Sequence, residues 1–335
     1  MCGGEALAGL EASADDVRKQ RGRAMRIGFV GTGTMGTPIA GCLIAAGHAL
    51  TVHDRRPEAT AVLCEQGAVA ADSAFAAARD AAVVFTSLPG PAEVEATAFE
   101  PQTGLFAGLS AGAAYIDLTT STPSLARRLA AHGAERGVAV LDAPVSGRPP
   151  GMTVMVGGSE ADFARLRPLF ETIARNVFHV GAVGTGCTAK LVTQYLGYAN
   201  FIAALEGMLI GAKAGIDLAT LARIVPVSAG ASRTFDNIPR AVLPGSFVSG
   251  GTLDIVAKDM ALACELAREV GAPAGLGVLA ADIYRRGQAQ GWGGEGFPVA
   301  ARILEAMAGA VLRAAAASDQ PDYQNADPRA EGNRR

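Results

Sequence analysis

The sequence has few of the residues that mark metalloproteins and disulfide-stapled secreted proteins. Only four histidines and five cysteines occur in 335 residues. No two histidines have ligand spacing and no two cysteines form a CxxC pair. These absences argue against a zinc site or a disulfide framework, and predict reduced, mostly buried thiols in a cytoplasmic protein without a metal. The cysteines are scattered along the chain, at Cys2, Cys42, Cys64, Cys187 and Cys264.

Charge and hydropathy narrow the class further. The formal net charge is −3, with 18% charged and 50% hydrophobic residues, so the chain lacks the basic excess typical of nucleic-acid-binding proteins. No apolar run reaches the length of a membrane span. A chain of this length is expected to form two domains with a large core. The composition therefore predicts a slightly acidic globular protein that binds neither nucleic acid nor membrane.

What the sequence does contain is a glycine-rich motif near its start. An apolar run at residues 27–30 ends in GTGTMG at residues 31–36, an amphipathic segment follows, and a second apolar run at residues 49–52 leads to Asp54. Strand, glycine turn, helix, strand and late acid are the context of a dinucleotide-binding βαβ unit. An ordinary βαβ turn that binds nothing is the alternative, and the agreement of the flanking features favours the dinucleotide.

Each part of this motif has a predicted role. Gly31 permits the sharp turn, Gly33 leaves the backbone open to a pyrophosphate, and Gly36 lets the helix pack close to the sheet. The helix N-terminus attracts the phosphates. Asp54 accepts ribose hydroxyls and favours NAD, whereas Arg55 could accept a 2′-phosphate, so NADP is an alternative cofactor. The cofactor contacts predicted here are Gly31, Thr32, Gly33, Thr34, Met35, Gly36, Asp54 and Arg55.

The succession of strands and helices predicts two domains of different class. Short apolar runs alternate with helical stretches through about residue 182, which is typical of a doubly wound (Rossmann-type) parallel α/β sheet. A long helix is predicted from Thr185 to Ala214, and only helices follow it. Met25 stands directly before the first strand as an alternative start. The predicted divisions are a flexible extension (1–24), a dinucleotide-binding domain (25–184), an all-α substrate or oligomerisation domain (185–316) and a disordered tail (317–335).

Two groups of polar residues are candidates for the chemistry. Lys190 lies among apolar and small neighbours, where its pKa is expected to fall so that it can exchange a proton near neutrality. Thr193 and Gln194, at i+3 and i+4, project from the same helix face. A lysine whose ammonium reaches solvent is the alternative. Ser146 and Gly147 follow a strand and predict a site for a small anion such as a carboxylate, with a plain turn as the alternative.

Loops after two further strands are also predicted to face the ligand. Leu88-Pro89 follows one apolar run, and a cluster of hydroxyl residues follows the next. In that cluster Thr122 is expected to cap the next helix and Thr120 to face the cofactor. Lys258-Asp259 lies early in a predicted helix, and such an adjacent pair is ordinarily exposed surface.

Five motifs in this order (GFVGTGTMG, SLPGPAEVE, DAPVSG, GAVGTGCTAKL and AKDMALA) make the chain resemble the β-hydroxyacid dehydrogenase family, the group of 3-hydroxyisobutyrate dehydrogenase and tartronate semialdehyde reductase, over about residues 25 to 310. The resemblance implies an NAD(P)-dependent oxidoreductase that interconverts a small β-hydroxy acid and its semialdehyde or keto acid, and a helical domain that supports dimers or tetramers. It implies Lys190 as general acid/base, Ser146 and Gly147 at the substrate carboxylate, and cofactor contacts at Leu88, Pro89, Thr120 and Lys258.

Three departures from the family pattern fall at the substrate end. Thr193 stands where the family usually has asparagine, residues 148–151 shorten the loop after DAPVSG, and Gly251 replaces an aromatic residue. Two alternatives therefore accompany the leading hypothesis. One is reduction of an imine or another unusual carbonyl, against which Lys190 argues because related imine reductases commonly replace that lysine. The other is a cofactor-binding protein without activity.

Overall fold

The computed structural model describes residues 24–314, and the contacts within the chain divide it into two compact units between Leu191 and Val192. The predicted tail (317–335) and all but the last residue of the predicted extension (1–24) lie outside the described residues. The predicted boundary at residue 185 is the first residue of the long helix, and the division by contacts falls inside that helix.

The first unit contains a nine-stranded sheet. All neighbouring pairs among its first six strands are parallel, as are the last two strands paired with each other, and short antiparallel pairings join the remaining ones. The strands are β1 (Arg26–Val30), β2 (Ala49–His53), β3 (Val69–Ala70), β4 (Val83–Thr86), β5 (Ala114–Asp117), β6 (Ala139–Asp142), β7 (Val145–Ser146), β8 (Thr153–Gly157) and β9 (Asn176–Gly181).

The strand order is β3-β2-β1-β4-β5-β6-β8-β7, with β9 paired to β8. This order, with β1 at the switch point between β2 and β4, is that of a doubly wound sheet and confirms the predicted fold class. The reversal of β8 against β6 is a departure from the purely parallel sheet that the alternating pattern predicted.

Helices cover both faces of this sheet. Every residue of β4 and β5 is buried, which explains why those strands are continuous apolar runs rather than alternating ones. Phe29 and Phe85 stack with ring centroids 6.0 Å apart within the core of one face. The helices of this unit are α1 (Gly36–Ala45), α2 (Ala61–Glu65), α3 (Ala74–Ala78), α4 (Pro91–Phe99), α5 (Leu105–Gly108), α6 (Pro123–Ala134) and α7 (Glu160–Ile173).

The described part of the second unit is helical, as predicted, and has its own core of apolar side chains. The predicted long helix spans 29 residues and begins in the first unit. Short 3-10 and π turns lie where Pro226 and Pro239 interrupt the helical pattern. The helices are α8 (Thr185–Lys213), α9 (Leu218–Ile224), α10 (Leu253–Glu269), α11 (Gly275–Ala289) and α12 (Ala301–Ala308). Within residues 24–314, none combines the length and apolar character needed to cross a membrane.

Candidate active site

The carboxyl ends of five parallel strands meet at one edge of the first unit's sheet. Val30 is in register with His53 and with Thr86. Thr86 in turn pairs with Asp117, and Asp117 with Asp142. The loops that follow β1, β2, β4, β5 and β6 therefore start side by side, at the edge where doubly wound sheets bind their ligands.

The glycine loop between β1 and α1 has room for a phosphate. Gly31 has a φ of +92°, and a Cβ there would overlap the carbonyl oxygen of Ser87. A Cβ on Gly36 would overlap the carbonyl oxygen of Gly31, so α1 starts directly against the turn. A Cβ on Gly33, by contrast, would meet no atom within 4 Å. This open space in front of a helix N-terminus fits the pyrophosphate of a dinucleotide.

The remaining residues of the loop differ in exposure. Thr32 is buried, Thr34 is exposed, and Met35 packs against the sheet core directly before α1. The Thr32 N–H donates to Oδ2 of Asp54 at 2.9 Å, which ties the glycine loop to the end of β2. The two segments that the nucleotide hypothesis joins are thus in direct contact.

An arginine without a predicted role faces the Asp54 carboxylate. Oδ1 of Asp54 accepts the Arg56 N–H at 3.0 Å, and the Arg56 Nε lies 3.8 Å from the same oxygen. Arg55, the predicted nucleotide contact, is exposed. An acid that accepts the N–H two residues later is a common turn, and this was the available local signal for Arg56.

The loops after β4 and β5 are joined by a buried polar network. The Leu88 N–H donates to Oγ1 of Thr119 at 3.0 Å. Oδ1 of Asp117 accepts the Thr119 N–H at 3.0 Å and the Thr86 hydroxyl at 2.7 Å. Through these bonds Asp117 positions both loops. Of the neighbouring predicted contacts, Pro89 is exposed and Thr120 is half-buried.

Two hydroxyls in the loop after β5 have distinct environments. Thr122 accepts the Leu125 N–H at 3.2 Å and caps α6, so that prediction is confirmed. Ser121, which had no predicted role, is 1% exposed, and within residues 24–314 its Oγ has no hydrogen-bond partner. A buried hydroxyl left unpaired costs about 1–3 kcal/mol. The orphaned oxygen, in the loop next to Thr120, is a second feature of this edge that a polar ligand group would satisfy.

The Asp117 carboxyl is expected to make stability depend on pH. Burial raises its pKa from the ordinary 3.8 to about 6. Because the pKa is higher in the folded chain, the stability that the protonated carboxyl contributes is fully present below about pH 4 and is lost as the pH rises through about 6. Relative to Asp117→Asn, the wild-type free energy of unfolding should therefore fall by about 2 kcal/mol between about pH 4 and pH 7.

Urea unfolding followed by circular dichroism at several pH values measures this difference. The asparagine keeps the oxygen that accepts from Thr86 and Thr119, so the variant changes the titration with little change in shape. Wild-type and variant stabilities that run parallel across this pH range would contradict the assignment.

Lys190 is 6% exposed, so its side chain does not extend into solvent. This burial contradicts the alternative interpretation, a lysine whose ammonium reaches solvent. The first turn of its helix is attached to the end of β6. Oδ1 of Asp142 accepts the Gly184 N–H and Oδ2 accepts the Cys187 N–H, both at 2.7 Å. Burial, reinforced by the Asp142 charge, raises the pKa of the Cys187 thiol well above its ordinary value. Cys187 is thereby a packed, protonated thiol.

The predicted anion site lies in the hairpin that joins β7 and β8. Ser146 is exposed, ends β7 and is paired with Thr153 of β8. Gly147 follows with a φ of +81°, in the left-handed region that glycine adopts without strain. The shortened segment at residues 148–151 forms most of the rest of this connection. The hairpin offers an exposed hydroxyl, with backbone groups beside it, to a small anion.

In the second unit, the expectation that Lys258 and Asp259 form an exposed pair is wrong. Asp259 is 1% exposed, and the Lys258 Nζ lies 2.6 Å from its Oδ1. The Gln194 amide donates to Oδ2 of Asp259 at 2.6 Å and to the Tyr198 hydroxyl at 3.0 Å. Asp259 therefore fixes the side chains of both Lys258 and Gln194. Thr193, the other predicted substrate contact on this helix, is exposed. The apolar residues around the pair (VAKDMALA) were the available sign of burial.

Within residues 24–314 no group of three or more histidine, cysteine, aspartate or glutamate side chains is placed to hold a metal ion. The residues gathered at the sheet edge are glycine amides, hydroxyls, the carboxylate of Asp54 after β2, the buried carboxyl groups that end β5 and β6, and one buried lysine. Such a set suits binding a dinucleotide and transferring a proton.

Two family models together match nearly all of the described chain. One, described as the NAD binding domain of 6-phosphogluconate dehydrogenase, matches residues 26–181. The other, described as "NAD-binding of NADP-dependent 3-hydroxyisobutyrate dehydrogenase", matches residues 184–304. The first match covers most of the unit that contains the sheet, and the second covers most of the described helical unit.

Relatives of known activity match over most of their length. The 2-(hydroxymethyl)glutarate dehydrogenase of Eubacterium barkeri is 31% identical over 86% of this chain and 97% of its own. The NAD-dependent L-serine dehydrogenase of Pseudomonas aeruginosa is 35% identical over 85% of this chain and 99% of its own. A crystal structure of 3-hydroxyisobutyrate dehydrogenase from Salmonella typhimurium has a TM-score of 0.75 at 31% identity, covering 83% of this chain and 99% of that one.

Proposed function

Because this chain belongs to the β-hydroxyacid dehydrogenase family of NAD(P)-dependent oxidoreductases, we propose that it interconverts a small 3-hydroxy acid and its semialdehyde, with Lys190 as the general acid/base. One observation carries the role of Lys190. Its amine is buried, on a helix whose first turn is hydrogen-bonded to the end of β6. The glycine loop lies at the same sheet edge. The proposed proton donor is therefore attached to the side of the unit where the cofactor is expected.

The bound nicotinamide cofactor supplies or accepts the hydride. The chain's own residues supply the rest. Lys190 gives a proton to the carbonyl oxygen during reduction and takes one from the hydroxyl during oxidation. Ser146 and the amides near Gly147 hold the substrate carboxylate. Leu88, Pro89, Thr120 and Lys258 would hold the cofactor, and the ion pair with Asp259 orients Lys258.

The substrate class follows from what the relatives' names have in common. 2-(Hydroxymethyl)glutarate, L-serine and 3-hydroxyisobutyrate each carry a hydroxymethyl group on the carbon that bears the carboxylate. They differ only in the other substituent of that carbon. We infer that this enzyme acts on an acid with the same hydroxymethyl and carboxylate pair. Thr193, Gln194 and the short hairpin after Ser146 are proposed to select the substituent.

A substrate screen with purified protein tests the proposal. The absorbance of NADH and NADPH is followed with the three hydroxy acids above, further 3-hydroxy acids and a matched panel of cyclic imines. Turnover of at least one hydroxymethyl acid is expected. Turnover confined to imines would transfer the assignment to the imine reductase alternative. Tight cofactor binding without turnover on a broad alcohol and aldehyde panel would identify an inactive binding protein.

We propose NAD as the preferred cofactor, because the Asp54 carboxylate lies beside the glycine loop and would repel a 2′-phosphate. Replacing Asp54 with asparagine removes that charge and leaves the exposed Arg55 and Arg56 to attract the phosphate. The ratio of kcat/KM for NADP to that for NAD is expected to rise about tenfold, equivalent to about 1.4 kcal/mol. Steady-state kinetics with both cofactors measures it, and an unchanged ratio contradicts the role of Asp54.

We further propose that the enzyme is a cytoplasmic homodimer or homotetramer that associates through its helical unit. Exposed apolar side chains support this, among them Leu196 and Ile210 on α8 and Leu276 and Leu279 on α11. Apolar surface of this kind commonly marks an interface. Light scattering of the purified protein gives the oligomeric mass.

A further inference from the structure

We propose that Asp142 is a positioning residue for the reaction, which fixes where Lys190 meets the substrate. The proposal rests on the proposed function, because it assumes that Lys190 transfers the proton. Asp142 is the acid of the DAPVSG segment and the last residue of β6. The sequence pattern predicted no role for it.

Both carboxylate oxygens of Asp142 accept hydrogen bonds from the start of the helix that carries Lys190. Its side chain is buried, with Oδ1 bonded to the Gly184 N–H and Oδ2 to the Cys187 N–H, each at 2.7 Å. The first amides of a helix have no partners within the helix, so a carboxylate that receives two of them defines the position of the first turn. The bonds are short because they are charge-assisted, and the helix dipole strengthens them.

Close packing makes this attachment rigid. A Cβ on Gly186 would overlap the carbonyl oxygens of Met155 and Asp142, and a Cβ on Gly157 would overlap Oδ1 of Asp142. The first turn of α8 therefore lies directly on the backbone ends of β6 and β8. Little free space remains in which the turn could shift while Asp142 keeps both bonds.

Lys190 is three residues beyond Cys187, so the two lie one turn apart on the same face of α8. A displacement of the first turn is passed directly to the lysine. Misplacement of a catalytic group by about 1 Å can cost about 100-fold in rate. The structure thus connects a buried carboxylate at the sheet edge to the position of the proton donor through one helical turn.

Asp142→Asn is the most informative variant, because it keeps the shape but turns one acceptor oxygen into an NH2 group that faces a backbone N–H. Asp217→Asn is the matched control. Oδ2 of Asp217 likewise accepts a helix N–H, that of Thr220 at 2.8 Å, but it caps α9, which carries no predicted site residue. The two variants make the same chemical change at the start of two different helices.

We expect Asp142→Asn to lower kcat 10- to 100-fold, on the order of a 1 Å misplacement. The Kd for NADH should stay within about twofold, because the glycine loop is untouched, and the solvent deuterium isotope effect on kcat should rise as proton transfer becomes slower. A carboxylate that only stabilises the fold would change melting temperature without changing the isotope effect. Asp217→Asn should alter none of these kinetic quantities.

A double-mutant comparison shows whether Asp142 acts through Lys190. If it does, Lys190→Ala with Asp142→Asn should turn over no more slowly than Lys190→Ala alone. A wild-type kcat for Asp142→Asn, or a further loss in the double variant, overturns the proposal. If Asp142→Asn does not fold, Asp142→Ser replaces it with the same expectation, and failure of both to fold shows a purely structural carboxylate and also overturns it.

The same set of proteins separates this proposal from the proposed function. Full activity of Lys190→Ala would refute the acid/base role of the lysine, whatever Asp142 does. An inactive Lys190→Ala beside a fully active Asp142→Asn would leave the proposed function in place and refute the positioning role alone.

Discussion

Replacing Lys190 with alanine is expected to lower kcat by about 1,000-fold while changing the Kd for NADH less than about twofold. A positioned general acid/base contributes about 100- to 10,000-fold to a rate, and the alanine removes the amine that would serve the reacting oxygen. Cofactor binding should persist because the glycine loop and Asp54 do not depend on this side chain. Stopped-flow or steady-state kinetics measure kcat, and NADH fluorescence titration measures binding.

Lys213→Ala is the control for this prediction. Lys213 is exposed in the last turn of the same helix, with its Nζ 2.8 Å from the carbonyl oxygen of Ala308. Both variants delete a lysine from α8, but only Lys190 is buried at the end near β6. A comparable loss of kcat in the two variants, or an equal loss of turnover and NADH binding in Lys190→Ala, would count against the assigned role.

Replacing Gly33 with valine is expected to raise the Kd for NADH at least about 100-fold without destabilising the fold. A Cβ at this position meets no atom within 4 Å, so the valine fits the chain itself. It would nevertheless fill the space through which a pyrophosphate approaches the backbone amides. Isothermal titration with NADH gives the affinity, and thermal unfolding without cofactor should differ little from the wild type.

Substitutions at two other glycines are the controls for this prediction. Gly294→Val adds the same side chain in open space within the helical unit and should leave NADH affinity unchanged. Gly36→Ala should lower both stability and affinity, because its Cβ would overlap the carbonyl oxygen of Gly31. If Gly33→Val binds NADH as tightly as the wild type does, the phosphates do not lie against this loop.

The elements that the sequence predicted well are those with a strong local pattern. The long helix was predicted from Thr185 to Ala214 and ends one residue earlier, at Lys213. The buried strands β4 and β5 are continuous apolar runs bounded by turn residues. By contrast, β3 and β7 have two residues each, too few to show any periodicity. Their pairing depends on neighbouring strands rather than on their own composition.

The sequence by itself determined the doubly wound sheet, the helical second unit, the glycine loop and the family, because each depends on spacing within a short segment or on motifs kept in order. Only the tertiary structure decided which polar residues are buried and what they bind. Asp142 accepts hydrogen bonds from backbone amides 42 and 45 residues later in the chain. Asp259 accepts one from the Gln194 side chain, 65 residues earlier. Contacts between groups so distant in the chain leave no local pattern, because they are formed by packing of the elements that carry them.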